Sequence, residues 1–335
     1  MTHFRWAVVG PGRIARRFAQ AVRALPDARL SVVIGRDEQR AREFADAWCE
    51  PGITRAGTDL TELLRTRDVD AVYIATPHAF HAEEAARCLR AGMPVLCEKP
   101  LTVNLRQAQA LAEMSQKLGV FLMEALWTRF LPAYDSVGEW LREGRIGPVR
   151  AIQSSFGFNV PFDANTRHYD PWQAGGTLLD IGVYNLSTAQ WVLQQAGQST
   201  ELQDFTAEAK LAPSGVDAAM IATLRFADDV HLQFRCGFDA LADNSLRIFG
   251  EHGLITVPAR FWEATSAVLR MDGGEEQRVE RPFAINGFEG EILEAMQCIR
   301  AGKHESPRMP LADTLAVTGW SDALRQHVGL RYPFE

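Results

Sequence analysis

Trp6-Ala7-Val8-Val9-Gly10-Pro11-Gly12-Arg13-Ile14-Ala15 is a β-rich run, a glycine turn and the opening of a helical pattern that continues through Phe18, Ala19, Val22 and Leu25. Strand, turn and helix with G-x-G-x-x-A spacing are what a dinucleotide-binding fold places first. Gly10 permits the tight turn, Gly12 lets backbone N–H groups approach a pyrophosphate, and Ala15 lets the helix lie close on the strand. Arg13 and Ile14 open that helix, whose N-terminus turns its partial positive charge toward the phosphates.

Outward from this stretch the chain keeps alternating. A second strand, Leu30 to Ile34, leads into Gly35-Arg36-Asp37, where an NAD-binding protein places an acid for the ribose hydroxyl. Here Gly35 removes bulk, Arg36 offers a guanidinium fork suited to a 2′-phosphate, and Asp37 comes one position late and suits the start of the next helix. NADP is thus preferred over NAD, with Arg36 as a solvated loop residue the alternative. Helix Asp37–Trp48, a weak strand near Ile53–Ala56, helix Leu60–Arg65, strand Ala71–Ala75 and helix Ala79–Arg90 follow. This alternation predicts an α/β protein with a doubly wound parallel sheet of Rossmann type.

Thr76-Pro77-His78-Ala79-Phe80-His81 follows the fourth strand, so it lies on the ligand-binding edge. Thr76 and His78 are candidate contacts to the cofactor, while His81 reads as a local hydrogen-bonding residue. Val95-Leu96-Cys97-Glu98-Lys99-Pro100 is a buried strand that delivers an acid and a base to the same edge before Pro100 stops the pairing. Helix Arg106–Leu118 and a short strand, Gly119–Met123, complete the expected first domain, residues 1–123.

The texture then changes. In Glu124 to Pro132, Trp127 and Arg129 fit either domain-interface packing or the wall of a substrate pocket. Helix Ala133–Glu143 and strand Val149–Phe158 precede an irregular polar stretch, Asn159–Pro171, which carries Arg167, His168 and Tyr169 and reads as a loop over a site. In Gly175-Gly176-Thr177-Leu178-Leu179-Asp180-Ile181-Gly182-Val183-Tyr184, the acid and the phenol are four apart and share a helical face. An acid can orient such a phenol and a nearby ammonium favours loss of its proton, as proton transfer to a substrate oxygen requires. Six runs of strand character between Leu202 and about Val279 predict a large, mostly antiparallel sheet, closed by helices Gly287–Arg300 and Leu311–His327. The second domain, residues 124–335, is accordingly α+β. Its broad sheet face calls for another copy, giving a homodimer or homotetramer through that sheet.

Composition sets the outer limits. The chain has 335 residues, 47% hydrophobic and 23% charged, enough for two globular domains. A formal net charge of -7 without a run of five like charges disfavours a nucleic-acid partner or a membrane surface. No signal-peptide pattern or membrane-length apolar run is read, so a cytoplasmic protein is expected. Five cysteines, an odd number with no C-x-x-C pair, read as reduced thiols, and no cluster has metal-ligand spacing.

G-x-G-x-x-A at residue 10, Glu98-Lys99-Pro100 after the fifth strand, and Gly175 to Tyr184 together resemble the Gfo/Idh/MocA oxidoreductases over essentially the whole chain. Met123–Pro132, Gly35-Arg36-Asp37 and Tyr184 look most like the dimeric trans-1,2-dihydrodiol dehydrogenases, which also oxidise D-xylose, and next most like glucose-fructose oxidoreductase. Many relatives carry His where this chain has Tyr184, a departure pointing away from inositol-type dehydrogenases.

The resemblance implies an NADP-dependent transfer of hydride between nicotinamide and a carbinol or carbonyl carbon of a small-molecule substrate: a sugar, polyol or trans-dihydrodiol. It also implies roles. Lys99 would bond the nicotinamide ribose and the substrate, Tyr184 would be general acid/base, Asp180 would position the reacting hydroxyl, and Glu98 would steady the strand end. Trp127, Arg129, Phe158 and Arg167 are carried as pocket residues. A non-catalytic nucleotide-binding regulator of the same family and a keto-sugar or dicarbonyl reductase stay open as alternatives.

Overall fold

Strands covered on both faces lose the alternation of polar and apolar residues, and in Ala71–Ile74 and Val95–Glu98 every residue is buried. The computed structural model describes residues 3–50 and 55–335. In it β1 (Phe4–Val9), β2 (Ala28–Ile34), β3 (Arg55–Gly57), β4 (Ala71–Ile74), β5 (Val95–Glu98) and β6 (Leu122–Ala125) pair in parallel in the order 3-2-1-4-5-6. The connecting helices are α1 (Arg13–Ala24), α2 (Glu38–Trp48), α3 (Leu60–Thr66), α4 (His78–Arg90) and α5 (Leu105–Leu118). Val9, Val32, Ile34, Val72, Ile74 and Val95 from the strands form one core with Leu89 and Leu111 from the helices. The strand order reverses between β1 and β4, where open α/β sheets bind ligands beyond their carboxyl ends.

Two expected strands shift. Ile53 and Thr54 of the weak third strand lie outside the described residues, and β3 covers Arg55–Gly57. The strand expected from Gly119 starts at Leu122, because Gly119 ends α5 in a left-handed conformation, φ +62°.

After a 3₁₀ turn at Trp127–Phe130 come α6 (Pro132–Arg142), β7 (Val149–Gly157) and α7 (Val183–Gln195). Next are β8 (Leu202–Leu211), β9 (Asp217–Phe226), β10 (His231–Gly237), β11 (Leu246–Gly250), β12 (Gly253–Val257), β13 (Ser266–Met271) and β14 (Glu276–Glu280). They form an eight-stranded sheet in the order 14-13-12-11-7-10-9-8, antiparallel except where β7 meets β10. β14, which sequence pattern did not mark as a strand, is an edge whose exposed Glu276, Arg278 and Glu280 guard it against further pairing. Helices α8 (Glu289–Arg300) and α9 (Leu311–His327) close the chain.

The compact units do not follow the boundary expected at residue 123. The first runs to Trp127 and takes back Ala284–Leu315; the second is Thr128–Phe283 with Ala316–Glu335. Arg17 of α1 shows why the returning segment belongs to the nucleotide fold. Its guanidinium donates to the carbonyl of Asn286 at 2.7 Å and lies over the rings of Trp127 and Phe288, 4.4 and 5.4 Å from their centres. Asn286 Nδ2 returns a bond to the Arg17 carbonyl at 2.8 Å.

Candidate active site

In the first unit the glycine turn is built as the spacing requires. Gly10 has φ +89°, and a Cβ there would lie 2.8 Å from the backbone of Ala75 and Thr76. Gly12 stands before α1 without a side-chain cap, so the opening N–H groups at Arg13 and Ile14 have no hydroxyl or carboxylate from that position to satisfy them. A Cβ on Gly12 would meet nothing nearer than 4.0 Å. An uncapped helix start with open space beside it fits a pyrophosphate. Arg13, Ile14 and, at the end of β2, Arg36 are exposed. Asp37 is engaged as the N-cap of α2, accepting from the Arg40 N–H at 2.9 Å, so Arg36 is the first charge after β2 left to meet a ribose.

Along the same edge the loops after β4 and β5 are tied together. His81 is fully buried and its two ring nitrogens face the carbonyls of Thr76, 2.7 Å, and Pro100, 2.8 Å. Burial lowers its pKa and the two carbonyls partly offset that. Its role is therefore wider than the local bond expected: it ties the loop after β4, at Thr76, to the loop after β5, at Pro100. Thr76 donates to Glu84 at 2.5 Å, and His78 packs edge-on to His81. Lys99 is half-buried.

Glu98 turns inward, where it accepts from the Tyr73 hydroxyl, and Tyr73 stacks on Phe18 of α1 with ring centres 3.8 Å apart. Glu291 of α8 completes this buried group. Both of its carboxylate oxygens lack a partner among the described residues, and burial followed by the charge of Glu98 pushes its pKa well above the carboxylate range. Nothing in its sequence surroundings marks it, since it reads as an ordinary acid in a first helical turn.

In the second unit the glycine-rich segment forms a π-helical turn, Leu178–Gly182, running into α7. Asp180 and Tyr184 project from this junction and both are buried. Arg167 of the preceding loop grips Asp180 with both arms, at 3.1 and 3.3 Å, from a side chain 43% exposed against 6% for Asp180. This fork pairing holds the carboxylate in one orientation. The Tyr184 ring lies 5.7 Å from that of Phe156, which stacks on Trp262 and leads to Phe158 at 6.1 Å.

Trp127 and Arg129 part company. Trp127 is buried in the first unit against Phe288. Arg129 is buried in the second, donating to Gln190 of α7 at 2.7 Å and to Ser187 at 3.4 Å. Both serve as packing and anchoring groups within their own units. The structure gathers Gly10, Gly12, Arg13, Ile14, Arg36, Thr76, His78, Glu98 and Lys99 at one edge of the first sheet. Asp180, Arg167, Tyr184 and Phe158 lie within the second unit.

Residues 4–126 match the family described as "Oxidoreductase family, NAD-binding Rossmann fold", and residues 134–256 match the "GFO/IDH/MocA C-terminal domain". The chain is similar to the trans-1,2-dihydrobenzene-1,2-diol dehydrogenases of Bos taurus and Homo sapiens, 31% identical over 98% of this chain and 98% of each relative. Among solved structures it is similar to KijD10, a 3-ketoreductase from Actinomadura kijaniata in complex with NADP and TDP-benzene. That likeness has a TM-score of 0.85 and 28% identity and covers 97% of this chain and 98% of the other. An aldose-aldose oxidoreductase from Caulobacter crescentus shares the fold, with a TM-score of 0.86, 22% identity and 98% of each chain covered. Glycine turn, acid-base strand end and glycine-rich π-turn thus stand in a chain that belongs to the Gfo/Idh/MocA family of NAD(P)-dependent oxidoreductases.

Proposed function

We propose that the protein transfers hydride between NADP(H) and a carbinol or carbonyl carbon of a sugar, polyol or trans-dihydrodiol. The observation that carries this reading is the π-turn, where a buried carboxylate held by Arg167 lies one turn before a buried phenol. A phenol set beside a fixed anion is suited to exchanging a proton with a substrate oxygen. When bound, the nicotinamide supplies or accepts the hydride. Tyr184 holds and moves the proton at the substrate oxygen, Asp180 orients the reacting hydroxyl, and Lys99 donates a hydrogen bond to that oxygen. Phe158 and the exposed face of Arg167 line the substrate side. Sugars, trans-dihydrodiols, keto-sugars and dicarbonyls offered with NADP(H), and followed by nicotinamide absorbance, test the reading. Turnover of at least one is expected, and inertness toward all of them alongside tight NADP binding would overturn it.

NADP is the proposed cofactor because Arg36 is exposed at the end of β2 while Asp37 is spent on the α2 cap. Arg36→Ala is expected to raise KM for NADP by about tenfold or more and KM for NAD little, since a charge-assisted phosphate contact contributes about 1.5–3 kcal/mol. Equal changes for the two cofactors would remove Arg36 from 2′-phosphate binding.

The protein is proposed to act as a homodimer or homotetramer through its second sheet. Gln153, Ile221, Gln233 and Arg247 line a shallow groove of about 410 Å³ on the strand face, and Ile221 is 59% exposed. A second copy of this sheet meets such a face with the same polar rows and apolar centre. Sedimentation is expected to give a dimer or tetramer mass, and a monomer at micromolar concentration would refute the assembly. The cytoplasm is the proposed location, since none of the five cysteines is in a disulfide and Cys88, Cys97, Cys236 and Cys298 are buried thiols. No helix among the described residues is long and apolar enough to cross a membrane.

A further inference from the structure

The turn that carries Asp180 and Tyr184 is gripped at its base by a residue from another element. Asp217, the first residue of β9, is fully buried, and its Oδ2 accepts from the Thr177 hydroxyl and from the Leu178 N–H, each at 2.6 Å. Gly176 passes so near that a Cβ there would lie 2.1 Å from Oδ1, and its φ of +112° is one that side chains rarely adopt. On the far side the Thr177 hydroxyl receives the Cys236 thiol at 3.6 Å. The Gly175 carbonyl receives the Tyr332 hydroxyl at 2.6 Å. Tyr332 is held in turn beneath the guanidinium of Arg325.

A π-turn has little propensity of its own and leaves its first N–H groups without intrahelical partners. Thr177 stands at the capping position, yet makes no side-chain cap because its hydroxyl is committed to Asp217. Asp217 therefore does from a distance what a cap does locally.

We infer that Asp217 is a positioning residue for the reaction: by holding Thr177 and Leu178 it fixes where the π-turn starts, and so the direction in which Asp180 and Tyr184 project. This rests on the reading of those two side chains as the groups that meet the substrate. Burial pushes the Asp217 carboxyl up to about 6 against the pull of its hydrogen bonds, so above that pH it is ionised and purely an acceptor. Tyr332 and Cys236, the titratable groups facing it from the chain end and from β10, have their own pKa values raised by burial and stay neutral.

The test compares Asp217→Ala and Asp217→Asn in the full-length protein, by turnover, by NADP affinity and by amide hydrogen exchange over residues 176–185. Alanine is expected to lower kcat by about a hundredfold while the NADP dissociation constant stays within about threefold, since small misplacements of reacting groups cost that much. Exchange of the turn amides should quicken by about tenfold or more. Asparagine keeps an acceptor oxygen and should restore most of both. Should the alanine variant fail to fold, Thr177→Val removes one of the two donors and should show the same pattern at smaller size. Unchanged kcat and exchange in the alanine variant, or in the valine variant where alanine does not fold, would overturn the inference. Wild-type protein that turns over no substrate while its turn amides respond to Asp217→Ala would sink the enzymatic reading and leave the anchor standing.

Discussion

Lys99→Met is expected to lower kcat by about a thousandfold or more while NADP binding stays within about threefold of wild type, the range that loss of a charged donor at a reacting oxygen produces. Methionine keeps the length and apolar stem of the half-buried lysine, so the side chain's packing survives and only its ammonium is lost. The strand end is also held by bonds that do not involve that ammonium. Glu98 is bonded to Tyr73, the Pro100 carbonyl to His81, and the Leu101 N–H to Glu124 at 2.9 Å. The glycine turn and Arg36, the proposed phosphate contacts, lie on other strands. Turnover and calorimetric NADP binding read the two effects separately. Undiminished turnover would remove Lys99 from the chemistry, and a parallel collapse of NADP affinity would make it a cofactor anchor instead.

Tyr184→Phe carries the second large expectation, a fall in kcat of about a hundredfold to ten-thousandfold, the usual worth of a positioned proton donor. The ring packs in the interior, 5.7 Å from Phe156, and phenylalanine preserves that packing. Because the phenol is proposed to act on the substrate oxygen in the transition state, kcat and kcat/KM should fall together. A phenylalanine enzyme of full activity would remove Tyr184 from the proton transfer.

The first domain was legible in the sequence because its signals are local. A doubly wound sheet writes each strand as an apolar run and each turn as a glycine pattern, so β1, β2, β4 and β5 stand close to where the pattern placed them. Asp37 announced its own capping role. What the sequence concealed depends on residues that meet from afar. Glu291 joins Glu98 only because Ala284–Leu315 returns to the nucleotide fold after the second sheet. Helical spacing placed Asp180 and Tyr184 on one face, but it could not show the π-turn, which is set by Asp217 some forty residues on. Trp127 and Arg129 looked like one cluster because they are adjacent in sequence, and their partners, Phe288 and Gln190, pull them into separate units.

Gly35 has a consequence for anyone redesigning the coenzyme preference. A Cβ there would lie 3.0 Å from Pro11 Cγ and 3.4 Å from the Ala41 methyl, so the proline ring of the glycine turn already occupies the room a side chain would need. An acid meant to court an unphosphorylated ribose has to be installed at position 36, where exposure leaves space, and moving it one residue earlier would push back on the very loop proposed to cradle the pyrophosphate.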